Sequence, residues 1–280
     1  MQIVSARLAQ GPGHLHLPDS DVELLPGVRW GSCEYLFTPA FWAAHGWQCS
    51  QAGQLPQRYR LGVTLLEEVA ACILGGYGIP AEVGLAGYAR LRSRGLLNGQ
   101  ATEAELRAAL AEPLSVNGRS VQYRFARQKS AYLAVALNAL EASSGLEDLT
   151  DVEFRNWFTG LPGVGLKTAS WITRNFRGSD SVAIIDVHVF RAGRLSGIFA
   201  ASATIARDYE ELEQRFLAFA AALGVPASQL DALIWDFMKR IGPLAVSTLR
   251  EAEEAVTPNL VSANFRSISR GLKSHRPRDS

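Results

Sequence analysis

The hydrophobic rhythm of the chain changes near residue 55. Before that point MQIVSARL, HLHL and VELL are short apolar stretches broken by Gly-Pro-Gly and Pro-Asp-Ser. They read as a few β-strands joined by turns. The stretch 37–47, FTPAFWAAHGW, gathers four aromatics around a short helical turn. From about residue 60 the apolar positions take helical spacing. Thr64-Leu-Leu-Glu67, Thr102-Glu-Ala-Glu105 and Thr150-Asp-Val-Glu153 each have the form of a capping box. After the first, Leu65, Leu66, Val69, Cys72 and Ile73 share one face until GGYGIP (75–80) stops the helix. The second opens a helix carrying Leu106 and Leu110, and 125–142 is a long Ala/Leu-rich run without a breaker. The third opens a helix through Phe158, which LPGVG (161–165) ends before KTASWITRNF (167–176) resumes the pattern. VAIID (182–186) is an apolar run ending in an acid, followed by VHVFRAGRL. Helices over 207–222 and 228–241 are split by Gly224-Val-Pro226. The pattern predicts a mainly α protein. It divides into a small β-containing region (1–55), a helical domain (56–262) whose hairpin spans 150–176, and a basic tail (263–280).

Composition narrows the class. With 280 residues, 48% hydrophobic and 20% charged, the chain is ordinary globular material, neither disordered throughout nor collagen-like. No stretch approaches the ~20 apolar residues that span a bilayer, so no membrane partner is expected. The N-terminus lacks the apolar core of a secretory signal. Three cysteines, Cys33, Cys49 and Cys72, make neither a disulfide framework nor a four-thiolate iron–sulfur cluster. A reduced, cytoplasmic protein is expected, nucleoid-associated if the source is prokaryotic. The net charge of +1 neither demands nor excludes nucleic acid. His14, His16, Cys33, His45 and Cys49 fall at irregular intervals that do not match zinc-ligand spacing. GPG (11–13) and GGYG (75–78) lack the Lys-Ser/Thr that follows a phosphate loop. The glutamates 210, 211 and 213 read as a solvated helix face.

The chemistry concentrates between 150 and 195. Helix, LPGVG turn and helix make a helix-hairpin-helix shape. Gly163 and Gly165 permit positive φ and close backbone approach. The amides of residues 165–168 would open the second helix, where the macrodipole favours an anion such as a phosphate. Lys167 stands in that first turn, where the dipole and burial would both push its amine toward the neutral, nucleophilic form. Asp186, nineteen residues on, has the position of an N-cap for the next helix. Taken singly, an αα turn, a surface lysine and a capping aspartate account for these residues equally well.

Taken together they resemble a known pattern. LPGVGLKTASWITRNFRGSDSVAIIDVHVF is similar to the helix-hairpin-helix (HhH-GPD) DNA glycosylase superfamily, most of all its 8-oxoguanine DNA glycosylase/AP lyase branch. The likeness is close over 150–195 and weaker, in helix order, over 60–145 and 205–245. It implies a two-subdomain helical fold and a monomer acting on double-stranded DNA that carries a damaged base. It implies Lys167 as the attacking amine and Asp186 as the assisting acid. Gly163, Gly165, Leu166, Thr168 and His188 would contact DNA, and Tyr77 in the GGYGIP turn would be the wedge filling the gap left by the flipped base. Trp171, one helical turn after Lys167, would stack on that base, although the branch's eukaryotic members have a cysteine there. Asp231 and Trp235 share a helix face and would complete the pocket, Asp231 (with Asp236 as competitor) accepting from a purine edge. No cofactor is required; the backbone carbonyls of Thr159, Leu161 and Val164 would hold any monovalent or other cation at the hairpin. Two other functions stay open at this point: a glycosylase for a different modified base, and a hairpin module that binds DNA without chemistry.

Overall fold

In a computed structural model the described residues are 1–8, 11–53, 60–76 and 78–271, with 252–271 described by backbone alone. The protein is mainly helical, as the periodicity predicts. Strand β1 (Gln2–Leu8) pairs antiparallel with β2 (Gly11–Leu17), Gln2 opposite Leu17 and Leu8 opposite Gly11. A second small ribbon, β3 (Glu23–Leu25) with β4 (Val28–Arg29), leads to α1 (Pro39–Gln51). Thr38 caps α1 by accepting the Phe41 amide at 3.0 Å.

The helical body follows as α2 (Leu65–Leu74), α3 (Ala81–Ser93), α4 (Glu103–Ala111) and α5 (Ala126–Glu141). Two of the three predicted capping boxes form completely, at Thr102 with Glu105 and at Thr150 with Glu153. The third forms by half. Thr64 accepts the Glu67 amide at 3.2 Å, but the Glu67 carboxylate turns to the Val63 amide (2.6 Å) and to Arg92 (3.0 Å). Between α4 and α5 the chain makes a hairpin, β5 (Leu114–Val116) with β6 (Arg119–Val121), that periodicity did not predict. Its turn residues Asn117 and Gly118 both have positive φ, 49° and 75°, as a tight two-residue hairpin requires.

The chain closes with α6 (Asp151–Thr159), α7 (Leu166–Arg177), α8 (Val187–Leu195), α9 (Ile205–Leu223) and α10 (Ala227–Gly271). The backbone breaks from helical geometry at Ile241, where sequence predicts the last helix to end, yet α10 resumes and runs into the stretch expected as a tail. Residues 272–280 lie outside the described residues. Among the described residues no single helix is long and apolar enough to cross a membrane.

Among the described residues two large apolar cores result, with a smaller cluster of Leu17, Trp30, Ala40, Ala43 and Ala44 at the N-terminal end. One is built from α2–α7 and includes Leu74, Leu106, Leu133, Phe154, Phe158 and Ile172. The other joins α8, α9 and α10 to the N-terminal region through Val28, Phe37 and Trp42. The N-terminal region therefore packs on the C-terminal half. Trp42 Nε1 donates to Ser196 Oγ (3.1 Å), whose hydroxyl donates to the Phe37 carbonyl (2.6 Å). That carbonyl belongs to a non-glycine residue held at φ 71°, a conformation the burial of its ring fixes in place. The α6–α7 hairpin lies between the cores: Val164, Ala169 and Ile172 pack into the first, Leu166 against the second.

Candidate active site

The hairpin is built around one glycine. Gly163 has φ 76°, and a Cβ there would stand 2.1 Å from the Tyr132 ring on α5. Both conformation and packing therefore exclude a side chain. Gly165 differs from expectation. Its φ is −89° with ψ 175°, an extended N-cap that any residue adopts, and a Cβ would meet nothing within 4 Å. What the glycine leaves is an open, uncapped helix start: no side chain caps α7. The first amides of α7, those of Leu166, Lys167 and Thr168, thus have neither an intrahelical nor a side-chain cap partner and present the positive end of the helix. At the far end Arg177 ties the two legs together, donating to the carbonyls of Leu149 and Leu146 (2.6 Å each) and pairing with Asp151 at 3.1 Å. Of the three carbonyls named for a cation, Leu161 O already accepts the Val164 amide at 3.2 Å.

Lys167 is the second residue of α7 and half-buried. Its charge is felt at Cys72 on α2 and at Lys129 on α5. Burial first, and the charge of Lys167 second, hold the Lys129 ammonium below the usual lysine range. Asp186 is the N-cap of α8, as sequence predicts. Its carboxylate accepts the amides of His188 (2.8 Å) and Val189 (2.9 Å), and both bonds land on Oδ1. The cap fixes the carboxylate rigidly while Oδ2 takes no part in it.

The lysine helix and the aspartate segment are joined by one buried side chain. Glu213 Oε1 accepts Ser170 Oγ from α7 and the Ala183 amide, each at 3.0 Å, while Oε2 accepts Arg155 from α6 at 3.0 Å. Ser170 lies three residues after Lys167, and Ala183 three before Asp186. Glu213 is only 5% exposed, so its reading as part of a solvated face was wrong. The available signal was phase: Tyr209, Glu213 and Phe216 fall on one helical face, and both neighbours are apolar and buried. Glu210 and Glu211 are exposed.

Asp231 also has a different surrounding from the one expected. It is 2% exposed, and its carboxyl is directed at Arg174 of α7 at 3.1 Å rather than offered to solvent. Burial pushes it up to about 7 against the pull of Arg174; the Ile184 amide lowers it, and the Asp186 and Asp180 charges raise it further. Its helix neighbour Trp235 is 38% exposed. The His188 ring meets the Trp235 ring edge-on with centroids 6.3 Å apart, and Lys239 Nζ sits 4.9 Å from the Trp235 centroid. Buried Nδ1 of His188 has no hydrogen-bond partner among the described residues. Trp171 is half-buried at the edge of the first core, and a Cβ on Gly75 would stand 2.9 Å from its ring. The tryptophan therefore packs against the backbone at Gly75. Tyr77 itself lies outside the described residues. The competitor Asp236 is exposed and pairs with Arg240 one turn along α10.

A glycine-turned helix pair, a lysine in the first turn of its second leg and a capping aspartate joined to it through Glu213 make a helix-hairpin-helix protein with a candidate lysine–aspartate site. The chain belongs to the Ogg-HhH family, 8-oxoguanine DNA glycosylase, which matches residues 59–225, more than half of the chain. It is 30% identical over 129 residues to the 8-oxoguanine DNA glycosylase/AP lyase of Metallosphaera sedula, a match spanning 44% of this chain and 62% of that relative's length. Among solved structures, the 8-oxoguanine DNA glycosylase of Thermotoga maritima superposes with TM-score 0.50 at 23% identity, over 62% of this chain and 79% of that one. The Methanocaldococcus jannaschii 8-oxoguanine DNA glycosylase superposes with TM-score 0.50 at 25% identity, over 64% and 78%.

Proposed function

We propose that the chain is a bifunctional DNA glycosylase/AP lyase that flips an oxidised purine, 8-oxoguanine, out of duplex DNA and excises it. The observation that carries this reading is the linkage through Glu213 of the helix bearing Lys167 to the segment bearing Asp186. Family membership supplies the second support. The open start of α7 receives a backbone phosphate, and the target nucleotide leaves its stack to reach the site. As the glycosidic bond weakens, positive charge develops at C1′ and the Asp186 carboxylate stabilises it. The Lys167 amine attacks C1′ while the bond to the base breaks, and the base departs with the bonding electrons and takes up a proton. Opening of the sugar gives an imine between Lys167 and C1′. Loss of a proton from C2′ then expels the 3′ phosphate by β-elimination. Trp235, 38% exposed, offers its ring to the extruded base, with His188 beside it.

The test is a set of duplexes, each carrying one defined lesion, incubated with the protein with and without borohydride. Base release and strand nicking from the 8-oxoguanine duplex, with a reducible covalent adduct, are expected. Binding without an adduct on any duplex would leave a DNA-binding hairpin without chemistry.

A further inference from the structure

The run Val182–Ile185 belongs to no helix or sheet; its Ile184 carbonyl accepts the Asp186 amide at 3.0 Å, and its other backbone groups need partners from elsewhere. They find them in side chains of the last two packed helices. Glu213 of α9 takes the Ala183 amide at 3.0 Å. Tyr209, one turn earlier on α9, donates its hydroxyl to the Ala183 carbonyl (2.9 Å) and accepts the Ile185 amide (3.2 Å). Asp231 of α10 stands beside the Ile184 amide. Ala183 and Ile185, on the way into Asp186, are thus held by side chains, where a strand would have used a ladder. The same two carboxylates reach α7. Glu213 takes Ser170, and Asp231 pairs with Arg174, one further turn along the helix that carries Lys167.

We propose that Glu213 and Asp231 are positioning residues that hold the lysine-bearing helix and the aspartate-bearing segment in one frame, so that Lys167 and Asp186 keep a fixed separation. Buried ion pairs are poor stabilisers, because desolvation offsets most of the attraction. The hydrogen bonds of Glu213 are directional, however, and direction is what two groups acting on one carbon need. Tyr209 acts chiefly on the aspartate side, through its bonds to Ala183 and Ile185, although its hydroxyl also stands beside Ser170, while Ser170 ties the lysine helix to Glu213. The proposal rests on the function proposed above.

The experiment uses Tyr209→Phe and Ser170→Ala, which cut single bonds of the clamp and leave both carboxylates in place. Single-turnover base release should fall about tenfold or more in each, on the scale expected when reacting groups are misplaced. Duplex affinity should stay within about twofold, since neither residue is among the proposed DNA contacts. Borohydride trapping on a pre-formed abasic site, which needs the amine but no base departure, should fall less in Tyr209→Phe than in Ser170→Ala. An unchanged rate in both variants overturns the clamp. So does a parallel loss of rate, affinity and thermal stability, which marks a merely structural role. If the unsubstituted protein releases no base at all, the proposed function falls, and amide hydrogen exchange still decides the clamp. Faster exchange at Ala183 and Ile185 in Tyr209→Phe, with α7 and α8 otherwise protected, supports it; unaltered protection there overturns it.

Discussion

Lys167 and Asp186 are held in place by opposite means. Lys167 owes its position to local rules: a glycine turn that only glycine can make, then a helix whose backbone bonds set the direction of its second residue. Asp186 caps its own helix locally, but the segment delivering it is irregular and hangs from Tyr209, Glu213 and Asp231, 23 to 45 residues further along the chain. A side chain on a helix needs few outside contacts to be well placed. One at the end of an irregular run needs many, and they come from distant positions that are otherwise core.

Substitutions that strike one side or the other sharpen this contrast. The largest effect belongs to the lysine: Lys167→Gln should abolish borohydride trapping and nicking while duplex binding, measured by fluorescence anisotropy, stays nearly intact. Asp186→Asn keeps a capping side chain but loses the charge. It should lower the single-turnover rate of base release by about 10²-fold, the usual scale for one lost electrostatic stabiliser. Gly163→Ala attacks the lysine side through the backbone. Left-handed geometry alone costs about 1–2 kcal/mol for a non-glycine residue, and the Tyr132 ring must move as well. A total of about 2 kcal/mol or more is expected in denaturant unfolding, with weaker duplex binding.

The smallest effect is a pH dependence on the aspartate side. Burial raises the Asp231 carboxyl from the ordinary aspartate value of 3.8 to about 7 in the fold. An acid raised in this way contributes stability that is fully present below its unfolded pKa and is lost as pH rises through the folded one. Asn mimics the neutral form, so the melting temperature of the unsubstituted protein minus that of Asp231→Asn should decrease between pH 4 and 8. A difference that grows with pH would mean that the charged pair with Arg174 is the favoured state.

The same division governs what the sequence reveals. The capping boxes at Thr102 and Thr150, the hairpin glycine and the cap at Asp186 are legible because each is satisfied within a few residues. The β5–β6 hairpin carried a readable signal in Asn117-Gly118, but its three-residue strands give no periodicity. Glu213 and Asp231 were misread for a different reason. A buried acid is placed by its partner, and Arg155 and Arg174 lie 58 and 57 residues away in the chain. Helical phase points inward at Glu213, yet nothing local says that a guanidinium waits there. Likewise, the attachment of the N-terminal region to α8 rests on Trp42 reaching Ser196, 154 residues on.

The central claim is that the amine of Lys167 bonds to the sugar. Peptide mapping of the borohydride-reduced protein–DNA adduct tests it most directly. The account predicts the sugar remnant on the peptide containing Lys167. Finding it instead on the peptide containing Lys129, the half-buried lysine beside it, or on the N-terminal amine would contradict the assignment.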